Sequence, residues 1–384
     1  MAILSKIKTK IYSRIAYFIH YGCYNCSFSR KKTIKKQIDD KSNYLKPLDR
    51  EQKDAILKMW RSRHVINNND WKFYEFYNYL RSDDIPIEYY IPDSFWYITF
   101  DLQLTNPRES YIIDDKNMYD LYFNDVKRPR TICRVIEGVV QNSKFELIDI
   151  DSAVQLCKQQ KSVIIKQSRS SEGGKNIKFW NIDKNDVEEL KTFLSSTPNL
   201  VIQEVVKQHD ELSSLHKESL NTIRIMTLFI NHEIKVLSAV VRMGVGDSKV
   251  DNASSGGIVC GICQNGRLKN FACNAKGDII KDFHPQGCRF ENIFIPNYSS
   301  CISLVKSLAL RMSGYSSLIS WDLAIDCNGQ PVLIECNLTF GQLDFHQICN
   351  GPILGVNDDF IKIIFDYVQD LKKSRIPKLN IIRF

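Results

Sequence analysis

The chain has 384 residues, of which 43% are hydrophobic, and this length and apolar content indicate a globular protein with two or three packed domains rather than one. A formal net charge of +8 is modest for this length and does not by itself indicate a nucleic-acid partner. The twelve cysteines are scattered along a long chain without a Cys/His ligand spacing, which favours reduced, mostly buried thiols over disulfides or structural zinc.

The N-terminal segment, residues 1–44, holds much of the excess positive charge. The apolar stretch at 11–28 is interrupted by Arg14 and His20, so it is neither a membrane-spanning helix nor a convincing signal peptide. A basic cluster follows it: Lys31, Lys32, Lys35 and Lys36. We expect a cytoplasmic protein in which this cluster is a solvated surface, with contact to an anionic membrane surface, the inner face of the membrane, as the alternative.

The pattern of apolar residues changes after residue 80. Apolar residues recur at helical spacing over 45–80, which predicts a helical N-terminal region. Short apolar runs then alternate with polar helical stretches, which is typical of α/β domains. The predicted strands cover residues 110–113, 162–166, 199–206, 222–230 and 233–241.

A glycine-rich loop follows the predicted strand 162–166, which ends in Lys166. The loop contains Ser170, Ser171, Gly173 and Gly174. Small residues let backbone N–H groups close around phosphate oxygens, and a lysine at the strand end adds positive charge. The spacing is not that of a Walker A loop. A plain surface loop is the alternative.

Two Asn-Gly pairs, at 265–266 and 328–329, lie between strand-like runs and predict two-residue type I′ hairpins. The sheet of the C-terminal half should therefore be at least partly antiparallel. With a two-residue loop at 328–329, Asp322 lies directly opposite Glu335. One face of this ribbon is then apolar: Trp321, Leu323, Ile325, Val332, Ile334 and Cys336. The other face carries Asp322, Ala324, Asp326, Leu333, Glu335 and Asn337.

The facing carboxylates of Asp322 and Glu335 repel unless a cation lies between them. Magnesium is a natural candidate, because it takes oxygen ligands from one or two carboxylates and from phosphates, and Asn337 adds a carbonyl oxygen. The alternative is an ordinary solvent-facing strand pair. Without metal, Glu335→Gln is predicted to leave the fold intact or slightly more stable, because it relieves the repulsion.

The order of these motifs resembles the ATP-grasp superfamily, and in particular the bacterial family of sugar-transfer-associated ATP-grasp proteins, over residues 111–355. The resemblance implies an α/β (α+β) fold in which two α/β domains clasp ATP, with a helical N-terminal region. The expected divisions are a basic segment at 1–44, a helical or α/β region at 45–114, a lid-bearing subdomain at 115–205 and a C-terminal subdomain with the metal hairpin at 206–384.

The same resemblance implies roles for individual residues. Asp115-Lys116 looks like the pair that opens an early helix, here 117–126, with its lysine reaching ATP. ATP-binding residues are then Lys116, Lys166, Ser170, Ser171, Gly173, Gly174, Glu204, Val206 and Glu211, of which Glu204 and Val206 lead into the adenine hinge and Glu211 is a candidate ribose contact. The metal ligands are Asp322, Glu335 and Asn337, which bind Mg²⁺.

Stretches around Arg224 and Arg242 resemble the narrower family. By analogy both arginines would lie near the transferred phosphate, since a guanidinium matches phosphate oxygens; a surface or interdomain ion pair is the alternative for each. His284, before Pro285, occupies a position where the family often shows such a pair, although a lone histidine is more often structural.

The implied reaction is ligation, in which ATP phosphorylates a carboxylate to an acyl phosphate and an amine or thiol then attacks it, releasing phosphate. The partners would be ATP and a small-molecule or sugar-linked acceptor, in surface polysaccharide biosynthesis or modification. A kinase of a sugar hydroxyl is the enzymatic alternative. A nucleotide-binding accessory subunit of a polysaccharide assembly complex, docked through the basic N-terminus, is the non-enzymatic one.

Overall fold

The computed structural model of the chain describes residues 27–105, 113–169 and 177–374. The glycine-rich loop residues Ser170, Ser171, Gly173 and Gly174 lie outside these ranges, as do three of the four residues of the predicted strand 110–113. Along the described part of the chain, no helix is both long enough and apolar enough to cross a membrane.

The N-terminal region is helical, as its apolar spacing predicts. Its helices are α1 (Ser27–Asp39), α2 (Arg50–Trp60), α3 (Asn68–Leu80), α4 (Asp93–Phe95), which continues through a π-helical turn (Trp96–Phe100), and α5 (Asp101–Leu104); 3₁₀ turns cover Ser42–Tyr44 and Ile87–Tyr89. Asp49 and Asn67 start α2 and α3 with capping boxes, in which each side chain accepts a backbone N–H of the first turn.

A five-stranded antiparallel sheet follows. Its strands are β1 (Thr131–Ile136), β2 (Val139–Asn142), β3 (Ser162–Gln167), β4 (Lys178–Asn181) and β5 (Asn199–Glu204), in the spatial order β2-β1-β5-β3-β4. A 3₁₀ turn (Lys116–Met118) and α6 (Tyr119–Tyr122) precede it, and α7 (Ile150–Lys158) and α8 (Val187–Ser196) cover one face. Val163 and Ile165 point to these helices. Because side chains alternate along a strand, Lys166 points to the other face.

A seven-stranded antiparallel sheet forms the C-terminal half, which confirms the predicted mixed α/β architecture. Its strands are β6 (Thr222–Ile230), β7 (Glu233–Met243), β8 (Ile258–Ile262), β9 (Leu268–Asn274), β10 (Ile279–Lys281), β11 (Leu318–Ile325) and β12 (Pro331–Asn337), in the order β10-β9-β8-β7-β6-β11-β12. Helices α9 (Asp210–Ser213) and α10 (Tyr298–Arg311) lie on one face, and α11 (Leu343–Asn350) and α12 (Asp358–Ser374) on the other. Two further 3₁₀ turns cover Ala253–Ser255 and Phe290–Asn292.

The N-terminal helices share one apolar core with α11, α12 and part of the second sheet. Trp60 of α2 packs against Phe365 of α12, with ring centroids 5.4 Å apart. Met226 and Leu228 of β6 belong to the same core. The helical layer therefore covers one end of the face of the second sheet. The divisions of the chain at 44, 114 and 205 stay a prediction.

Both Asn-Gly turns are three-residue loops, so the predicted two-residue type I′ form is wrong. Cys263 N donates to Arg267 O at 2.8 Å, and Asp326 N donates to Gln330 O at 3.0 Å. Within each turn only the glycine has a positive φ, +86° at Gly266 and +75° at Gly329. This is the three-residue hairpin in which a left-handed glycine follows a type I turn.

The longer loop shifts the register near the tip of the β11–β12 hairpin by one residue. Leu333 lies opposite Leu323 and is buried in the core, and Val332 lies opposite Ala324, so the predicted faces of Leu333 and Val332 are exchanged. A β-bulge after Asp322 then inserts one extra residue on β12. Beyond the bulge, Asp322 lies opposite Glu335, as predicted.

Candidate functional site

Charged side chains form a row across three neighbouring strands of the second sheet. Arg224 on β6 lies opposite Asp322 on β11, and Asp322 lies opposite Glu335 on β12. Arg242, near the end of β7, lies opposite Thr222 of β6. The N-terminal helices pack on one end of this sheet face. The charged side chains occupy the end that these helices do not cover.

The carboxylate of Asp322 is only 2% exposed and accepts four hydrogen bonds. Arg224 donates Nε to Oδ1 at 2.7 Å and Nη2 to Oδ2 at 2.6 Å. Arg242 Nη1 and Asn337 Nδ2 each donate to Oδ2 at 3.2 Å. Burial raises the pKa of Asp322, while the charges of Arg224 and Arg242 act in the opposite direction. The fork of Arg224 is thereby fixed in a bidentate pair.

Arg242 is also held from the loop that follows β7. Its Nη2 donates to Asp251 Oδ1 at 3.3 Å. The other oxygen of Asp251 accepts the backbone N–H of Thr222 at 3.1 Å and also its hydroxyl group. Arg242 Nε is buried and has no hydrogen-bond partner among the described residues. One hydrogen-bond donor of Arg242 is therefore unused among the described residues.

Several nearby positive charges act together on the carboxylate of Glu335. Lys116 Nζ lies 3.2 Å from Glu335 Oε2. Burial acts against the charged carboxylate, but nearby cations lower the pKa of Glu335 to about 2. In decreasing order of effect these cations are Lys116, Arg224, Arg242 and Lys166. The charges of four cationic side chains, from both sheets and from the segment before β1, therefore act on one carboxylate.

Lys166 comes to this cluster from the first sheet. Its side chain is 9% exposed, and burial lowers its pKa to about 8. The neighbouring charge of Lys116 acts in the same direction, whereas Glu335 opposes it. None of the described residues forms an ion pair with Lys166.

The segment that carries Lys116 is tied to the strand that carries Lys166. Lys116 N donates to Ser168 O at 2.9 Å, just beyond β3. Asp115 accepts Asn117 N at 3.0 Å through one oxygen and Arg169 Nε at 2.8 Å through the other. The predicted helix 117–126 is shorter than expected: a 3₁₀ turn leads into α6, which ends at Tyr122 because the next residue leaves helical geometry.

The predicted nucleotide-contacting residues lie where the chain passes from the first sheet to the second: Glu204 ends β5, Val206 follows it, and Glu211 lies in α9. Glu204 accepts Arg130 N at 3.1 Å and pairs with Arg130 Nε at 3.4 Å. Glu211 accepts Phe294 N at 3.3 Å. Val206 is half-buried. Both carboxylates have partners within the protein, and the contacts of all three residues with a nucleotide stay predictions.

His284 is buried and fixes the loop that follows Arg242. Its Nε2 donates to Gly244 O at 2.9 Å, and its Nδ1 accepts Gln286 N at 3.2 Å. Burial lowers its pKa. Because both ring nitrogens have partners within the protein, the geometry favours the structural alternative for His284 over substrate contact.

The sequence patterns assign no role to two residues near the cluster, Asp251 and Gln342. Asp251 lies in a stretch that resembles the family, but its contact with Arg242 depends on the fold of the loop. Gln342 lies just before α11, and its Oε1 accepts Arg224 Nη1 at 2.5 Å. No local pattern marks a glutamine in a loop as an arginine ligand.

The oxygen atoms at the site fit a magnesium ion that shares its ligands with phosphate. Among the described residues, no three His, Cys, Asp or Glu side chains form a metal-binding group. Asp322 already accepts four donors, and the amide nitrogen of Asn337 is one of them. Glu335 Oε1 and the side-chain carbonyl of Asn337 remain. One or two protein oxygens suit Mg²⁺, which takes its other ligands from phosphates and waters. Ligation by Asp322 stays a prediction that requires Arg224 to move.

Comparisons with known proteins identify one family. A family model described as sugar-transfer associated ATP-grasp matches residues 98–357, well over half of the chain. No curated protein matches the chain significantly.

Solved structures with a similar arrangement include D-alanyl-alanine synthetase A from Vibrio cholerae O1 biovar eltor str. N16961, with 11% identity, a TM-score of 0.41 and coverage of 69% of this chain and 67% of that one. D-alanine–D-alanine ligase from Bacillus anthracis has 16% identity and a TM-score of 0.40, covering 70% and 72%. The biotin carboxylase domain of 2-oxoglutarate carboxylase from Hydrogenobacter thermophilus has 14% identity and a TM-score of 0.42, covering 70% of this chain but 48% of that one. At such low identities and TM-scores, these structures carry no conclusion about the reaction.

Proposed function

The chain belongs to the sugar-transfer associated ATP-grasp family, and we propose that it is an ADP-forming ligase that uses Mg-ATP to activate a carboxylate. The observation that carries the proposal is the row of paired charges at the end of the second sheet: Arg224 and Arg242 bind Asp322, Asp322 lies opposite Glu335, and Lys116 binds Glu335. The charge of Lys166 also acts on Glu335. Attack on the γ-phosphorus develops charge on the β- and γ-phosphate oxygens, so a fixed set of cations stabilises the transition state.

Each residue has a distinct task in this mechanism. Lys116 and Lys166 hold the β- and γ-phosphate oxygens of ATP from two different segments. Glu335 and Asn337 hold Mg²⁺, which neutralises phosphate charge when it is bound. Arg242 directs its unpartnered Nε to the phosphoryl group in transfer or to the acyl phosphate.

The reaction proceeds in two displacements. A carboxylate oxygen of the substrate forms a bond to the γ-phosphorus while the bond to the bridging oxygen of ADP breaks. An amine nitrogen, or a similar nucleophile, then attacks the carbonyl carbon of the acyl phosphate, inorganic phosphate leaves, and the nitrogen loses a proton to solvent. The protein supplies charge and position, and no covalent protein nucleophile is required.

We assign the product to surface polysaccharide biosynthesis or modification in the cytoplasm, because the family is described as sugar-transfer associated. An amino acid or a similar carboxylate joined to a sugar-linked amine fits both the description and the chemistry. The basic cluster of α1 supports docking to the inner membrane face or to an assembly complex. Its exposed members are Lys31, Lys32, Lys35 and Lys36, while Ile34 and Ile38 are buried beneath them.

The test is the identity of the products formed from Mg-ATP and a pool of amino acids, sugar acids and sugar-linked amines. We expect ADP and phosphate, and a hydroxamate when hydroxylamine replaces the amine, because hydroxylamine attacks an acyl phosphate. ADP with a stable phosphate monoester and no hydroxamate would indicate a kinase. AMP with pyrophosphate would exclude both reactions.

A further inference from the structure

A strained loop leads directly away from the candidate metal ligands. Residues 338–342, here called the site loop, follow Asn337 and end where α11 begins. Phe340 and Gln342 have φ values of +54° and +63°, which are unfavourable for residues with a side chain. A Cβ atom on the intervening Gly341 would collide with Ser320 Oγ. The surrounding structure must therefore hold this conformation.

The N-terminal helices supply the contacts that hold Phe340. Its ring stacks on Tyr97, with centroids 4.8 Å apart, and the guanidinium of Arg30 lies 4.4 Å from its centroid. Arg30 Nη1 also donates to Asp101 Oδ2 at 3.0 Å, and Phe340 N donates to the same oxygen at 3.4 Å. The ring and the backbone of Phe340 are thus both fixed from α1 and from the helix at 93–104.

Both ends of the site loop are held from the same side. Thr105 Oγ1 donates to Leu338 O at 2.5 Å, and Leu343 N donates to Tyr97 Oη at 2.8 Å. One residue further on, Lys41 Nζ pairs with Asp344 at 2.6 Å in a buried position. A buried ion pair that loses one partner is costly, so this contact also resists displacement of the start of α11.

The last residue of the site loop, Gln342, contacts an arginine of the charged cluster. Gln342 Oε1 accepts Arg224 Nη1, the guanidinium nitrogen that Asp322 does not bind. All three nitrogens of Arg224 are therefore fixed, two by a strand neighbour and one by the site loop. A rotation of Gln342 would leave Nη1 without this partner.

We propose that the N-terminal helices act as a brace for the catalytic centre, with Arg30 and Tyr97 as positioning residues that act through Phe340 and Gln342 on Arg224. This inference rests on the proposed function, in which Arg224 is one of the cations that stabilise the transition state. Arg30 and Tyr97 both precede residues 98–357, so these two positioning residues lie outside the part of the chain that matches the family, whereas Asp101 and Thr105 lie inside it.

The experiment uses the full chain with Tyr97→Leu and Arg30→Met, which remove the stack or the guanidinium. Tyr97→Phe retains the ring and loses only the bond to Leu343, and Arg30→Lys retains the charge. Tyr79→Leu removes an aromatic ring of α3 that packs on Tyr44, away from the site loop, and is the matched control. Hydrogen exchange over 338–344, Mg-ADP affinity by calorimetry and ATP turnover are measured for each protein.

We expect the brace variants to increase exchange at 338–344 and to reduce kcat by about tenfold or more, with KM for ATP and Mg-ADP affinity within about twofold of wild type. Arg30→Lys should retain most of the activity, and Tyr97→Phe should lie between wild type and Tyr97→Leu both in exchange at 338–344 and in kcat. Tyr79→Leu should not differ from wild type in exchange at 338–344. A residue that only stabilises the fold would lower turnover and Mg-ADP binding together, through the fraction of unfolded protein.

Unchanged exchange at 338–344 in Tyr97→Leu and Arg30→Met would overturn the brace, as would faster exchange with unchanged kcat. If both variants fail to fold, Tyr97→Phe decides, because loss of the Leu343 contact alone should still increase exchange there. A wild-type protein without ATP turnover would contradict the proposed function, and the exchange data would then still decide whether the helices hold the site loop.

Discussion

Arg224 and Asp322 lie directly opposite each other on β6 and β11 and form a bidentate ion pair, with N–O distances of 2.7 and 2.6 Å. This ion pair changes the electrostatic balance of the β11–β12 hairpin. From the sequence, the facing carboxylates of Asp322 and Glu335 lack a protein cation and repel. In the folded protein, four cationic side chains already offset the two negative charges.

The first prediction is that Glu335→Gln destabilises the protein in the absence of metal, which reverses the expectation from the sequence. The variant leaves Lys116 and its neighbouring cations with one negative partner fewer. We expect a loss of unfolding free energy on the order of 1–3 kcal/mol near neutral pH, measured by chemical denaturation. Glu233→Gln, which changes an exposed carboxylate paired with Lys235, is the control and should have little effect.

The pH dependence of this difference gives a second measurement on the same pair of proteins. The pKa of Glu335 is lowered to about 2 from a usual value of 4.5. Its stabilising contribution is then complete above pH 4.5 and is lost as the pH falls through about 2. The difference in unfolding free energy between wild type and Glu335→Gln should therefore become smaller as the pH falls. A difference that becomes larger would contradict the assignment of these charges.

Lys166→Met tests the phosphate contact of the first sheet. The change removes the ammonium group and preserves most of the side-chain volume, so we expect ATP affinity to fall by about 1.5–3 kcal/mol, the range for a charge-assisted contact. Lys178→Met is the matched control, because Lys178 lies on the neighbouring strand, where its ammonium group lies 4.1 Å from the centroid of the Phe193 ring. Equal ATP affinity in the two variants by calorimetry would remove Lys166 from the phosphate site.

A separate prediction follows from the pKa of Lys166, which burial lowers to about 8. Phosphate binding favours the charged ammonium, so ATP binding should take up protons near this pH. Affinity should be greatest below about pH 8 and fall above it, approaching tenfold per pH unit. Lys166→Arg remains charged throughout this range and should lack the decline. A decline of the same size in Lys166→Arg would place the titrating group elsewhere.

Sequence reasoning could predict the pairing of Asp322 with Glu335, although its premise about the turn was wrong. The turn has three residues instead of two, and the bulge after Asp322 cancels the resulting shift. The two departures from the assumed register compensate where the charges lie, so the predicted pairing is correct there. The exchange of Val332 and Leu333 between the two faces of the hairpin could not be predicted, because nothing in the local sequence pattern marks the bulge.

The helices and strands could be predicted from their hydrophobic periods, but the packing between distant elements could not. The helical spacing over 45–80 places Trp60 on an apolar face, and it does not show that this face meets Phe365 of α12. The contact of Gln342 with Arg224 depends on that packing, because the N-terminal helices hold the site loop in its strained conformation. Contacts between loops and strands are set by tertiary structure, which a single sequence does not display.

The last prediction separates the proposed metal ligands from the residue that orients the arginines. If Glu335 and Asn337 bind Mg²⁺ while Asp322 stays paired with Arg224, the three substitutions should differ in their metal dependence. Glu335→Gln and Asn337→Ala should raise the Mg²⁺ concentration required for half-maximal ATP binding by about tenfold.

Asp322→Asn should instead leave this Mg²⁺ concentration within about twofold of wild type while it lowers turnover, because it weakens the pair that orients Arg224. The measurement is ATP affinity by calorimetry across a Mg²⁺ titration, together with steady-state turnover for each variant. A shift in Mg²⁺ dependence for Asp322→Asn as large as that for Glu335→Gln would show that Arg224 releases Asp322 to the metal when ATP binds. In that case the ion pair belongs to the nucleotide-free protein, and ATP binding must rearrange it.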